Sequence, residues 1–249
     1  AQHVAGAYTF DLACSADGRT LASCHADGSV RVWASETLLD LGVYRGHAGP
    51  VLRAQASEAG GWWTVGADRT LRGFARELPQ RAPLLPTLPG TPLRAVLART
   101  RDELYVATLG GAVGAVDLGQ RTLRWSRATG RPRCHGIVLA DERRLWVASG
   151  ERLLALDAEN GEVLATHEPS PGRQLHDVRL HPGGTELLLA AEDRSLVRCD
   201  AATGAVLAKV AAPPGTTGDV YQLEVHGGGD LATVCGPGFG AACVELATG

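Results

Sequence analysis

One interval recurs along this chain and limits what it can fold into. Apolar runs ending at Ala34, Ala75, Asp117, Asp157, Asp200 and Glu245 are spaced 41, 42, 40, 43 and 45 residues apart. Most of these runs are preceded, across a tight turn, by another of the same kind: "LASCHADGSVRVW", "LYVATLGGAVGAVDL", "LWVASGERLLALD", "LLLAAEDRSLVRCD". Asp-Gly, Gly-Gly, Gly-Glu or Asp-Arg stands at the bend, so each stretch reads as two strands of a hairpin. No segment carries a capped 3.6-residue periodicity, and the prolines from Pro79 to Pro92 exclude a helix there. The chain is all-β.

A period of about 40–45 residues is one four-stranded propeller blade. The residues after Glu245 and those up to Ala34 together supply one more period, so six units account for all 249 residues. The expected fold is a single six-bladed β-propeller of four-stranded antiparallel blades. Its blades are expected at about 8–45, 46–90, 91–129, 130–170, 171–212, and 213–249 completed by 1–7. The terminal "ELATG" stops between a third and a fourth strand, and "QHVAGAY" at residues 2–8 supplies the fourth. Across the join, "ELATG-AQHVAGAY" has the form of "DAATG-AVLAKVAA". A ring has no free sheet edge only if its first and last blades interlock, so the N-terminal strand is expected to close the last blade. The Pro-rich stretch "RELPQRAPLLPTLPGTP" reads as an outer strand whose prolines block edge pairing.

Composition narrows the function classes. The net charge of −3 lacks the basic surplus of a nucleic-acid or anionic-membrane binder. No apolar run approaches the ~18 residues that span a bilayer. The six cysteines form no Cys-x-x-Cys pair and sit inside strand-like runs as small buried hydrophobes. A reducing cytoplasm suits them, with a periplasmic or extracellular protein holding three disulfides as the alternative. Methionine is absent, so Ala1 follows a processed start, a removed leader or an earlier segment.

Residues 14–36, "CSADGRTLASCHADGSVRVWASE", resemble the WD40 repeat. The Ser-x-Asp-Gly-Arg turn, the Leu-Ala-Ser strand, the Ala-Asp-Gly-Ser-Val turn and the Val-x-Val-Trp strand stand in that order. The second repeat adds Gly46-His47 and "VGADRTLRGFA", with Phe74 where the repeat has Trp. The resemblance implies a buried hydrogen-bonded network of His, Ser or Thr, Asp and Trp. His47, Thr64 and Asp68 match three of its positions. Trp33 in the first repeat has Asp27 and Ser23, but no Gly-His precedes it. "ALDAENGEVL" and "RCDAATGAVL" resemble instead the repeat of quinoprotein-type (PQQ-like) propellers, where an Asp and a Thr-Gly turn end the third strand.

The PQQ-like turns raise dehydrogenase chemistry. The enzymes of that family are larger, have eight blades, and use adjacent cysteines plus a calcium held by acidic and Asn ligands. This chain has no Cys-Cys pair, and its one asparagine, Asn160, falls in a peripheral turn. No cofactor, no catalytic set and no metal site are therefore expected. A lactonase-like hydrolase is the alternative: a hard cation wants 6–8 converging oxygens, and Asp11, Asp177 and Asp219, with Gln222, fall near first-strand starts. "SADGRTL" shares the look of a sialidase Asp box but is one residue short.

Aligned on their ends, the first strands place Phe10, Val51, Leu93, His135, His176 and Tyr221 at equivalent positions around one channel mouth. His135, His176 and Tyr221 come from consecutive blades. Arg53, Arg94, Arg133, Arg173 and Arg179 lie nearby in sequence and make that mouth electropositive. The expected function is a non-catalytic, monomeric scaffold that takes a protein or peptide on its top face and channel mouth, alone or as one domain of a longer signalling protein, with Arg53, Arg94, His135, His176 and Tyr221 as binding residues.

Overall fold

The computed structural model describes residues 8–57, 60–74, 88–98, 100–210, 217–236 and 240–246. Those residues form 22 strands and no helix. Blade one holds β1 (Thr9–Cys14), β2 (Thr20–His25), β3 (Ser29–Ala34) and β4 (Asp40–Arg45). Blade two holds β5 (Val51–Ala56), β6 (Trp62–Gly66) and β7 (Leu71–Phe74). Blade three is β8 (Pro92–Leu97), β9 (Glu103–Thr108), β10 (Ala112–Asp117) and β11 (Thr122–Ala128). Blade four is β12 (Cys134–Asp141), β13 (Arg144–Ser149), β14 (Arg152–Asp157) and β15 (Val163–His167). Blade five is β16 (Leu175–Leu180), β17 (Glu186–Ala191), β18 (Leu196–Asp200) and β19 (Val206–Val210). Blade six holds β20 (Gln222–Val225), β21 (Leu231–Gly236) and β22 (Gly240–Glu245). Each blade is an antiparallel meander in chain order, and the six make a six-bladed β-propeller as expected. The periodic positions Ala34, Asp117, Asp157, Asp200 and Glu245 each end the third strand of their blade. The outer strand expected in 79–92 falls mostly outside the described residues, and the closing strand expected at 1–7 falls wholly outside them.

The core is divided between the blades. Five apolar clusters fill the gaps one–two, two–three, three–four, four–five and five–six. Second- and third-strand side chains make up most of each cluster, and a first-strand side chain of the following blade joins them in the later gaps. Ile137 is 4% exposed against blade three, Val178 0% against blade four, and Leu223 1% against blade five. Leu12 holds the same place on β1 and is 60% exposed. Among the described residues no apolar cluster joins blade six to blade one.

A second fastening explains the Asp-x-x-Asn/Thr-Gly turns. Asp157 Oδ1 accepts hydrogen bonds from the backbone N–H of Glu159 and Asn160, and Asp200 Oδ1 from Ala202 and Thr203. The turn so tightened docks on a tryptophan of the preceding blade. Trp125 Nε1 donates to the Ala158 carbonyl at 3.1 Å, and Trp146 Nε1 to that of Ala201 at 2.9 Å. Gly204 closes the second turn at φ +75°, and a Cβ there would lie 2.7 Å from the Trp146 ring. Only glycine satisfies both the left-handed backbone and that stacking distance.

Candidate functional site: the channel mouth

Every described first strand from blade one to blade five carries a register shift near its start. The shifts leave Phe10, Leu52, Leu93, His135 and His176 unpaired between ladder partners. An extra residue in one strand bends it and re-aims a side chain. Of these, Leu93, His135 and His176 stand in the wall of the mouth, and Tyr221, just ahead of β20, holds the same place in blade six. In blade two the structure puts Leu52 at that place, while Val51 is fully buried.

One residue further in, the positions are Asp11, Arg53, Arg94, Gly136, Asp177 and Gln222. Two further still are Ala13, Gln55, Val96, Val138, Arg179 and Glu224. All but Gly136 and Asp177 line a central cavity of about 830 Å³. Asp11 and Asp177 lock neighbouring blades together. Asp11 Oδ2 accepts from the Ala54 N–H at 2.9 Å, and Asp177 Oδ2 from the Leu223 N–H at 3.1 Å. Asp177 is fully buried and also accepts from the Val178 N–H and from Arg179 Nη1, each at 2.9 Å. Arg179 reaches on to Glu224 at 3.2 Å. Burial raises the carboxyl of Asp11 above the ordinary range, opposed by its bond to Ala54 and the field of Arg94. Gly136 has no side chain because the next blade is too close: a Cβ there would lie 2.6 Å from the Val178 nitrogen.

At the mouth a smaller cavity of about 380 Å³ brings together Arg53, Arg94, His135, His176 and Tyr221, the five candidate residues read from the sequence. Leu93, Gln222, Cys235 and Gly236 complete its wall. The His135 and His176 rings meet edge-on with centroids 5.5 Å apart, and His176 lies 4.5 Å from Tyr221. Arg53 is held by the Phe10 and Leu52 carbonyls, and Arg94 Nη1 by that of Leu93. Among the described residues four nitrogens at the mouth are buried without a hydrogen-bond partner: Arg94 Nε, His135 Nε2 and both ring nitrogens of His176. The nearest carboxylate to Arg94 Nε is Asp177 Oδ1, at 3.8 Å. Arg133 and Arg173 are exposed and outside this wall.

Burial holds both imidazoles in the neutral form. It pushes His135 down to about 4, helped by His176, Arg133 and Arg94, and lowers His176 against Asp219, Glu192 and Asp177. His135 therefore binds a proton more readily unfolded, with its ordinary value of 6.5, than folded. Its contribution to stability is present in full above pH 6.5 and is lost as pH falls toward about 4. Urea midpoints measured across that window are expected to drop on acidification, with a shallower drop in His135→Gln. An equal slope in both chains would place the acid-sensitive group elsewhere.

Asp11, Asp177 and Asp219, set out as cation ligands, do not converge. The first two bond backbone N–H groups of neighbouring blades, and Asp219 is exposed. Among the described residues no group of three or more His, Cys, Asp or Glu side chains is placed to hold a metal ion.

The structural network falls away from the mouth cavity. His47 Nε2 meets Thr64 Oγ1 at 2.9 Å and Nδ1 meets Asp68 Oδ1 at 3.0 Å, while Asp68 accepts from the Ala48 N–H. Phe74 packs on Tyr44 instead of donating. In blade one Trp33 Nε1 donates to Ser23 Oγ, which meets His25 Nε2, each at 2.8 Å. The structure places Asp27 elsewhere, on the Ser29 N–H at 3.0 Å. His25, two residues after Ser23 on the same strand, was missed by reasoning from the Gly-His dipeptide, and its spacing within "SCH" was the available signal.

No curated protein matches the chain. Among solved structures it is similar to a chain of "Crystal Structure of Mitotic Checkpoint Complex", at TM-score 0.88 and 12% identity. That match covers 99% of this chain and 77% of that one. It is also similar to "Crystal structure of WD40 beta propeller domain of Doa1", at TM-score 0.78 and 12% identity, covering 95% and 78%. At such identity these matches speak to the fold alone. The WD domain, G-beta repeat profile matches residues 3–34. The profile described as outer membrane protein assembly factor BamB matches residues 53–249, most of the chain, and the protein belongs to that family of PQQ-like propellers.

Proposed function

We propose that this chain is a non-catalytic binding scaffold that takes a protein or peptide at the channel mouth. The observation that carries the reading is the set of buried nitrogens without partners on Arg94, His135 and His176. A buried donor left unpaired costs about 1–3 kcal/mol, and a ligand that supplies acceptors at the mouth removes that cost. The wall suits a peptide: two imidazoles and a half-exposed phenol offer flat apolar faces beside polar edges. The family description names an assembly factor, and one similar structure is a multiprotein complex; both support the reading. Six free thiols favour a reducing compartment, and the scaffold is proposed to work as a monomer without nucleic acid or membrane.

The test is a peptide-display selection on the immobilised chain, repeated on a His135→Ala, His176→Ala double variant. Peptides retained by the first and lost by the second, with melting temperature unchanged, support the mouth as the binding face. Peptides that bind both chains equally overturn it.

A further inference from the structure

We propose that the group received at the mouth is a carboxylate of the partner, held between Arg94, His135 and His176 beside Tyr221. This rests on the scaffold reading above and names what that scaffold recognises. The donor inventory points to an acceptor. Arg94 Nη1 is occupied by the Leu93 carbonyl, but Nε, which can only donate, is buried with no hydrogen-bond partner. His176 is 6% exposed, lines the cavity, and has neither ring nitrogen paired. His135 brings Nε2 from the adjacent blade.

The protein's own carboxylate pairs with Arg94 only at ion-pair distance and gives the imidazoles no hydrogen bond. Asp177 is engaged by the Leu223 and Val178 N–H groups and by Arg179, and stands 3.8 Å from Arg94 Nε. The mouth thus has two permanent cations, Arg53 and Arg94, the second with its Nε lacking a hydrogen bond, and two imidazoles that each donate once when neutral. That set suits a planar monoanion with two acceptor oxygens. A dianion fits less well, because Asp177 behind Arg94 and the fields of Asp219 and Glu192 at His176 oppose added negative charge.

Binding is linked to protons. The groups that bear on His135 are His176, Arg133, Arg94 and Asp177; those on His176 are Asp219, Glu192 and Asp177. A carboxylate seated against the rings favours their charged forms. Affinity therefore rises as pH falls below about 6.5, the ordinary imidazole value, toward about 4, where His135 takes up its proton in the free protein.

The experiment uses three tetrapeptide libraries: one with free C-termini and no acidic side chain, one neutral and amidated, one amidated with a fixed Asp or Glu. Each is titrated by calorimetry at two pH values while the 15N imidazole signals of His135 and His176 are followed. Binding by an acidic library that moves both signals, strengthens at lower pH and is lost in Arg94→Gln and in His176→Phe supports the proposal. The free-acid and side-chain arms separate a terminal carboxylate from an internal one. Equal binding by the neutral library, with both signals moving, overturns the carboxylate and leaves the scaffold standing. Binding that leaves both signals unmoved overturns the mouth itself, and no binding by any library overturns carboxylate recognition.

Discussion

Asp177→Ala is expected to lose about 3–5 kcal/mol of stability, because it strips the partner from charges already withdrawn from water. The carboxylate is fully buried between the fifth and sixth blades, where it accepts from the Val178 and Leu223 N–H groups and from Arg179, with Arg94 close by. Alanine leaves the Leu223 N–H without its acceptor and two guanidinium groups facing each other. Asp177→Asn keeps an acceptor oxygen and removes the charge, so it should fall between alanine and the natural chain. Urea unfolding followed by tryptophan fluorescence measures all three. A midpoint for alanine within about 0.5 kcal/mol of the natural chain would show that Asp177 does not hold the blades.

The second large effect is expected at Trp146, where alanine should cost about 3–5 kcal/mol. The ring is 1% exposed and packs in the cluster between blades four and five. Its Nε1 holds the Ala201 carbonyl, and Gly204 lies against its far edge. Truncation therefore opens a cavity and frees the turn that fastens blade five to blade four. Trp146→Phe retains most of the apolar contact and drops the hydrogen bond, so a loss of about 1 kcal/mol is expected. If alanine and phenylalanine melt alike, the hydrogen bond rather than the packing is what secures the turn.

The periodicity carried the fold because it is written in types that strands and turns require. The marker residues Asp117, Asp157, Asp200 and Glu245 end third strands because a carboxylate there can cap the turn that follows, as Asp157 and Asp200 do. The mouth residues were legible for the same reason: one alignment of first strands put His135, His176 and Tyr221 in phase. The slip from Val51 to Leu52 was not legible. A bulge adds one residue without changing composition, and either apolar side chain satisfies the local pattern. The acidic positions show a different limit. Sequence gives Asp11, Asp177 and Asp219 as carboxylates near one end, but whether they meet a cation or a backbone N–H depends on how close the next blade comes. For Asp11 and Asp177 the next strand arrives first.

Consecutive blades meet through apolar cores, and in a repeat array stability is close to a sum over units and nearest-neighbour interfaces. The mouth draws on three units in a row: His135 stands on blade four, His176 on blade five and Tyr221 at the start of blade six. A ligand that touches all three spans two of those interfaces at once. Its binding energy is then added to the seams between blades, so occupancy of the mouth would slow the parting of blades four, five and six.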